Sequence, residues 1–177
     1  ALSRVYAMWG RFGAFVPWVP RGLRGPGRAF ALFTIALWAE RPGHDIGAVV
    51  DRLLSSSDPR RFLFAGRLIA EGVSVPENIA IRVIDRLFAF VRNTNGNSGL
   101  SQEGFEVLSA LFDYPTVPAR LDALTSDTKV RWSCRVSALE AFERLRGGKR
   151  AQLLLAALLP SAYGKALHRL ARLAVRP

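Results

Sequence analysis

Apolar residues recur at spacings of three and four along most of the chain, which is the pattern of amphipathic helices. No segment keeps a period of two, so we expect no β-sheet. Breaks rich in Gly, Pro, Asn and Asp separate the periodic segments. The pattern predicts helices over residues 1–16, 28–40, 44–54, 59–71, 74–92, 100–112, 117–124, 127–145, 149–159 and 161–175.

Several of these helices carry start and stop signals. Asp58 stands before Pro59, and a proline at the first helical position loses no hydrogen bond. Gly72 is predicted to end the helix that follows. Ser74, with Glu77 three residues later, indicates a capping box. Asp127 is predicted to be the N-cap of the helix 127–145.

The apolar faces of two segments need partners beyond their immediate neighbours. Segments 117–124 and 127–145 form a predicted helix pair, and their narrow apolar stripes cannot both be buried by that pair alone. Segment 28–40 is apolar nearly all round, so we expect it to be buried on most sides. The aromatic residues at helical spacing are expected to belong to the core rather than to a ligand site.

A recurring offset indicates repeated helix pairs. Asp58 is followed seven residues later by Ala65, and Asp127 seven residues later by Cys134. In both cases a small inward residue follows the capping position by two turns, which suits close packing between helices. Helix starts at 58, near 98, at 127 and near 161 are separated by about 40, 29 and 34 residues, which suits stacked helical hairpins.

These residues resemble a known repeat. The stretch VRWSCRVSALEAFERL after Asp127 is similar to the D-x-x-V-R-x-x-A-x-x-A-L signature of HEAT repeats, with Val130, Arg131, Cys134 and Leu139 near the expected types and the second alanine displaced to Ala138. The stretch RRFLFAGRLIAEGVSVPENIAIRVIDRL resembles the helical-repeat region that follows the ATPase module in bacterial NACHT-type (STAND) NTPases. The resemblance covers residues 30–146.

The resemblance implies an all-α fold, a HEAT-like α-solenoid of stacked antiparallel helix pairs with about 9–10 helices. Residues 1–28 would form an N-terminal helix and a Pro/Gly/Arg connector, and residues 29–177 the repeat domain. In that family a separate module holds the nucleotide, and this chain lacks G-x-x-x-x-G-K-[ST]; Gly147-Gly148-Lys149-Arg150 differs from it in spacing and in the last residue. The chain would then supply an interaction surface and no hydrolysis.

Charge is concentrated at the two ends of the chain. The net charge is +11, yet residues 31–143 hold all 14 acids against 12 bases. Residues 1–30 carry five arginines and residues 144–177 eight bases, with no acid in either stretch. Such ends could attract phosphate, anionic lipid or an acidic protein. Of the 25 bases 22 are arginine, so a general bias toward arginine remains an alternative explanation.

The basic ends supply the candidate binding residues. Arginines, glycines and prolines interleave with Trp18 in the connector 17–27, which suits either RNA contact or a linker packed on the body or on a partner. The candidate polyanion-binding residues are Arg21, Arg24, Arg28, Arg144, Arg146, Lys149, Arg150, Arg169 and Arg172.

No recognisable reactive site is present in the sequence. His44 and His168 lie far apart without partners at metal-ligand spacing, and the single cysteine, Cys134, occupies an inward position. The acid pairs at helical spacing, in 103–106 and 140–143, are typical of solvated salt bridges. We therefore predict no catalytic, cofactor-binding or metal-binding residue, and no enzymatic activity.

The apolar runs 29–39 and 151–159 are shorter than the roughly 20 residues of a membrane-crossing helix. We expect a cytoplasmic interaction scaffold, the sensor region of a larger NACHT-type NTPase whose partners are proteins or the parent NTPase module. The alternative is a basic RNA-contacting subunit of a ribonucleoprotein or organellar assembly, located in an organelle matrix after removal of a leader. A chain that begins at Ala1 would be a processed protein or a piece of a longer one.

Overall fold

A computed structural model describes residues 27–94 and 98–146 and the single positions 152, 156 and 158. Within these residues the secondary structure is helical and contains no strand, so the all-α prediction is confirmed. The helices are α1 (Gly27–Ala39), α2 (Ile46–Leu54), α3 (Pro59–Ala70), α4 (Glu77–Asn93), α5 (Gly99–Ala110), α6 (Thr116–Ser126) and α7 (Trp132–Arg146).

The predicted end segments fall mostly outside this part of the chain. Helix 1–16, nearly all of the connector 17–27 and helix 161–175 lie outside the described residues. In the predicted helix 149–159 the three described positions are helical, and Leu158 is buried. The predicted domain boundary at residue 28 stays a prediction for the same reason.

The chain divides into two compact units, Ala1–Leu87 and Phe88–Pro177, and the boundary falls inside α4. In the first unit α3 packs against both α1 and α2. Its apolar core includes Ile35, Trp38, Val49, Val50, Leu53, Leu63, Phe64, Leu68, Val83 and Ile84. Gly47 lets α2 approach α4 closely, because a Cβ atom there would lie 2.8 Å from Cδ1 of Ile79.

Local signals set the ends of the helices in the first unit. Asp45 is the N-cap of α2, and its carboxylate accepts a hydrogen bond from the backbone N–H of Ala48 at 3.1 Å. Asp58 caps α3 with Pro59 at the first helical position, as predicted. Gly72, at φ 87°, follows the end of α3 in the left-handed conformation that favours glycine.

In the second unit α7 packs against both α5 and α6. Ser98 caps α5, since its hydroxyl accepts a hydrogen bond from the N–H of Ser101 at 3.1 Å. The core of this unit includes Val91, Phe105, Val107, Leu108, Leu111, Val117, Leu121, Leu124, Cys134, Val136 and Leu139. The predicted pair of helices after residue 116 is therefore present, with its apolar stripes covered by further helices.

Two predicted helix starts are wrong. Helix α7 begins at Trp132, five residues after Asp127, which instead follows the end of α6 in an extended conformation. The Asp127 side chain accepts a hydrogen bond from the N–H of Lys129 at 2.9 Å and so holds a turn. Helix α4 begins at Glu77, not at Ser74, because Val75 precedes Pro76 and is disfavoured in the helical region.

Helix α1 is less covered than its sequence predicts. Only Ala31, Thr34, Ile35 and Trp38 are buried among its 13 residues. Phe33 is 58% exposed, although α1 is apolar nearly all round. The expectation that this helix is buried on most sides is therefore wrong for the face that carries Phe33.

Candidate macromolecule-binding surfaces

The predicted polyanion-binding residues are largely outside the described part of the chain. Arg28 lies in the first turn of α1 and is partly exposed, while Arg144 and Arg146 lie in the last turn of α7. Arg144 and Arg146 thus share one helix end, and Arg28 belongs to the other unit. The remaining candidates lie outside the described residues: Arg21, Arg24, Lys149, Arg150, Arg169 and Arg172.

The described body is nearly neutral. Residues 27–94 and 98–146 contain 15 bases and 14 acids, a net charge of +1 out of the total of +11. The other +10 comes from bases in residues 1–26 and 147–177. Any attraction that depends on the overall basic charge must therefore arise mainly from the two ends.

Many arginines of the body already have partners. Arg82 binds Asp51 at 2.7 Å between α4 and α2, and Arg92 binds Asp127 at 2.8 Å. Others cover aromatic rings: the Arg120 guanidinium lies 4.3 Å from the centre of the Phe88 ring, and that of Arg86 lies 5.4 Å from the centre of Phe62. These cations contribute to packing as well as to charge.

Three helix ends meet in the second unit, at what we name the α4–α6–α7 junction. The Cys134 thiol, at the start of α7, donates to the carbonyl oxygen of Val91 in α4 at 3.2 Å. The Arg135 Nε atom donates to the carbonyl oxygen of Thr125, near the end of α6, at 2.8 Å. The Arg92–Asp127 ion pair joins the end of α4 to the residue that follows α6. A cation at the end of α6 is favoured by the helix dipole.

The loop at this junction carries two cations that are not among the predicted polyanion-binding residues. Lys129 and Arg131 are exposed, and neither side chain makes a hydrogen bond or ion pair with another described residue. Both residues lie inside the predicted helix 127–145. With the start of α7 at Trp132, they belong to the loop that precedes it.

The cysteine and the described histidine, Cys134 and His44, both make packing or hydrogen-bond contacts within the protein. Burial raises the pKa of the Cys134 thiol to about 11, although the nearby Arg92 and Arg131 act in the opposite direction. The thiol is therefore protonated near neutral pH. The His44 ring stacks on Trp38, with ring centres 4.3 Å apart, and its Nδ1 atom lies 2.7 Å from the Trp38 carbonyl oxygen.

Two further observations concern metals and membranes. Across residues 27–94 and 98–146, no three side chains of His, Cys, Asp or Glu are grouped closely enough to hold a metal ion. None of the helices in the described part of the chain combines the length and apolar character needed to cross a bilayer.

Large apolar side chains are exposed on two helices of the first unit. They are Phe33 on α1 and, at 42% exposure, Ile81 on α4. Most of the other predicted core aromatics are buried, namely Trp38, Phe62, Phe64 and Phe88, whereas Phe90 and Trp132 are partly exposed.

Comparison of the chain with protein-family models, curated proteins and solved structures finds no match.

Proposed function

We propose that this chain is a non-enzymatic helical-repeat scaffold that binds a macromolecular partner, as the sensor or interaction region of a larger NACHT-type NTPase. The observation that carries the proposal is the apolar, solvent-facing side of α1. Ala29 and Phe33 are exposed there, and Ala36 and Leu37 follow on the same face with partial exposure. An apolar helix face in water favours the binding of another protein.

The packing order of the helices supports the repeat architecture within this proposal. In the first unit α3 packs against α2, the helix directly before it, and against α1, two helices before it. In the second unit α7 packs in the same way against α6 and α5. Stacked helical pairs combine these two kinds of contact, because each pair covers the apolar face of the next.

The environment of the reactive residue types supports a role without catalysis. Cys134 is fully buried and its pKa is raised to about 11, so little nucleophilic thiolate forms near neutral pH. Asp45 and Asp58 accept hydrogen bonds from the N–H groups at helix starts. The link to NACHT-type NTPases rests on the sequence resemblance over residues 30–146, and a cytoplasmic location is part of the same proposal.

Photocrosslinking from α1 tests the scaffold proposal. A photoreactive phenylalanine analogue replaces Phe33 in the full chain, and the same analogue at the exposed Gln102 of α5 serves as the control. We expect one protein to crosslink from position 33 and not from position 102. The purified partner should then lose affinity for a Phe33→Ser variant whose melting temperature is unchanged. Equal labelling from both positions would contradict the proposal.

A second candidate function is the RNA-contacting subunit of a ribonucleoprotein or organellar assembly, and the charge distribution favours it. The +10 on residues 1–26 and 147–177 flanks a body of net charge +1. Binding that depends on those ends would weaken steeply as salt rises, because each phosphate contact releases a counterion. Affinity for single-stranded RNA that is insensitive to salt would count against this candidate.

A further inference from the structure

Unpartnered cations are concentrated at one place in the second unit. Most described arginines make an ion pair, a hydrogen bond or a ring contact. The side chains of Arg61, Lys129 and Arg131 make no hydrogen bond or ion pair with another described residue. Lys129 and Arg131 lie two residues apart in the loop between α6 and α7 and are both exposed.

The position of these two cations is electrostatically unfavourable in the free protein. Arg131 directly precedes α7 and Lys129 lies two residues earlier, and the first turn of α7 contains no acid. The start of a helix is its positive end, where each added cation costs about 0.3–1 kcal/mol instead of stabilising the helix. Sequences that break a local rule in this way often do so at a functional surface.

Arg92 extends the same surface from the end of α4. Its guanidinium binds Asp127 at 2.8 Å, yet its side chain remains 56% exposed and can donate hydrogen bonds to a second carboxylate. Asp127 is the one acid in the loop 127–131. The nearest acid along α6 is Asp122, about 6 Å along the axis from the end of that helix. The nearest acid along α7 is Glu140, about 12 Å from its start. We name Arg92, Lys129 and Arg131 the junction cations.

We propose that the junction cations bind an acidic segment of a partner protein. This inference rests on the scaffold function proposed above and names the chemistry of one contact. Guanidinium groups bind carboxylates through charge-assisted hydrogen bonds, and Arg92 already makes one such bond at this place, from Nη2 to Oδ2 of Asp127 at 2.8 Å. An acidic segment would also be attracted by the positive end of α7.

The charges of the body favour an acidic peptide over a nucleic acid at this surface. A nucleic acid duplex carries about one phosphate per 3.4 Å of each strand, so it needs a long track of cations. The junction cations number three, one of them already bound to Asp127, on a described body whose net charge is +1. A short acidic segment can satisfy such a patch without meeting the acids of the surrounding helices.

Fluorescence anisotropy with the full chain tests this inference. The probe is a short fluorescein-labelled peptide of alternating glutamate and glycine. We expect it to bind the wild type, and we expect the double variant Lys129→Gln, Arg131→Gln to bind it about tenfold more weakly. The variant should retain its melting temperature, because both side chains are exposed and lack a structural partner.

A matched control carries Arg60→Gln and Arg61→Gln, which removes two cations from the first turn of α3 and changes the net charge by the same amount. It should bind the peptide about as well as the wild type. If the double Gln variant unfolds, the single Lys129→Glu variant replaces it and should lose at least as much affinity.

Three results would overturn the inference: no binding of the peptide to the wild type, an equal loss in the control, or tighter binding of a single-stranded oligonucleotide that depends on Lys129 and Arg131. The crosslink from Phe33 depends on neither cation. Its outcome therefore separates a failure of this contact from a failure of the scaffold proposal.

Discussion

Cys134 illustrates how one side chain links the helices of the second unit. Its sulfur is fully buried and its thiol donates to the carbonyl oxygen of Val91 in α4. Ala65 occupies the corresponding place, seven residues after Asp58, and is also fully buried. Small side chains at both positions let neighbouring helices approach closely. The inward orientation of Cys134 expected from the sequence is confirmed.

Replacing Cys134 with arginine should destabilise the protein severely. The substitution would bury an unpaired charge near Arg92 and Arg131, at a cost of about 3 kcal/mol or more. The melting temperature should fall by about 10 °C, whereas Cys134→Ala should lose only a small part of that. A melting temperature of Cys134→Arg within a degree or two of the wild type would mean that position 134 is not inward.

The raised pKa of Cys134 makes stability depend on alkaline pH. The folded pKa, about 11, lies above the usual value of 9.0, so the unfolded chain loses this proton first. The contribution is complete below pH 9.0 and disappears as pH rises toward about 11. It amounts to about 3 kcal/mol. Urea unfolding of the wild type and of Cys134→Ala at both ends of this range should show a smaller loss in the variant; equal losses would contradict the assignment.

Replacing Gly72 with alanine should strain the backbone after α3, because Gly72 has a positive φ. At φ 87° a Cβ atom meets no neighbour within 4 Å, so the cost of Gly72→Ala arises from the backbone alone. We expect a loss of about 1 kcal/mol in the free energy of unfolding, measured by urea titration. Gly99→Ala is the control, because Gly99 also lies in open space but has no positive φ. Equal stabilities of the two variants would exclude strain at Gly72.

At the scale of helices, the same local signal leads to two different structures. Asp58 and Asp127 both follow a serine and both precede an apolar segment. Asp58 caps α3 because Pro59 presets a helical φ at the next residue. Asp127 has no proline after it, and Arg92 of α4 binds its carboxylate. A tertiary ion pair and a turn thus take the place of the expected cap.

Asp58→Ala should weaken α3 by removing its N-cap. The carboxylate accepts a hydrogen bond from the N–H of Arg60 at 3.0 Å, and loss of such a cap costs about 1 kcal/mol. Because α3 carries fully buried core residues, the effect should lower the melting temperature of the protein by a few degrees. Asp58→Asn keeps the acceptor and should remain close to the wild type. Similar losses in both variants would show that charge, not capping, matters here.

At the scale of the whole molecule, most of the net charge lies outside the described residues. Residues 27–94 and 98–146 are nearly neutral, and their arginines mostly bind acids, carbonyl oxygens or aromatic rings. The excess of ten positive charges lies in the stretches before and after them. Replacing bases in those stretches should therefore weaken the binding of a polyanion without lowering the stability of the body.

Four bases around the end of α7 test this separation. They are Arg144, Arg146, Lys149 and Arg150. Replacing all four with glutamine should weaken binding of single-stranded RNA and reduce the slope of log affinity against log salt by up to about 3. The melting temperature should stay within a few degrees. The control replaces four bases of the body, Arg41, Arg52, Arg60 and Arg61. Unchanged RNA affinity in the first variant, or an equal loss in the control, would contradict a role for this end.

The amino-acid sequence alone specified the helical character of the described residues and most helix positions between residues 28 and 126. It did so because the spacing of apolar residues and the caps at Asp58 and Gly72 act over a few residues. It also determined that Cys134 faces inward, since the apolar stripe of one helix specifies its buried side.

Tertiary packing specified the rest: where α7 begins, which face of α1 is exposed to water and which described cations lack a side-chain partner. Each of these depends on residues far apart in sequence: Arg92 lies 35 positions from the Asp127 that it binds. Periodicity reports which residues avoid water but not which helix covers them. The exposed Phe33 and the loop cations Lys129 and Arg131 became visible only when the neighbouring helices were in place.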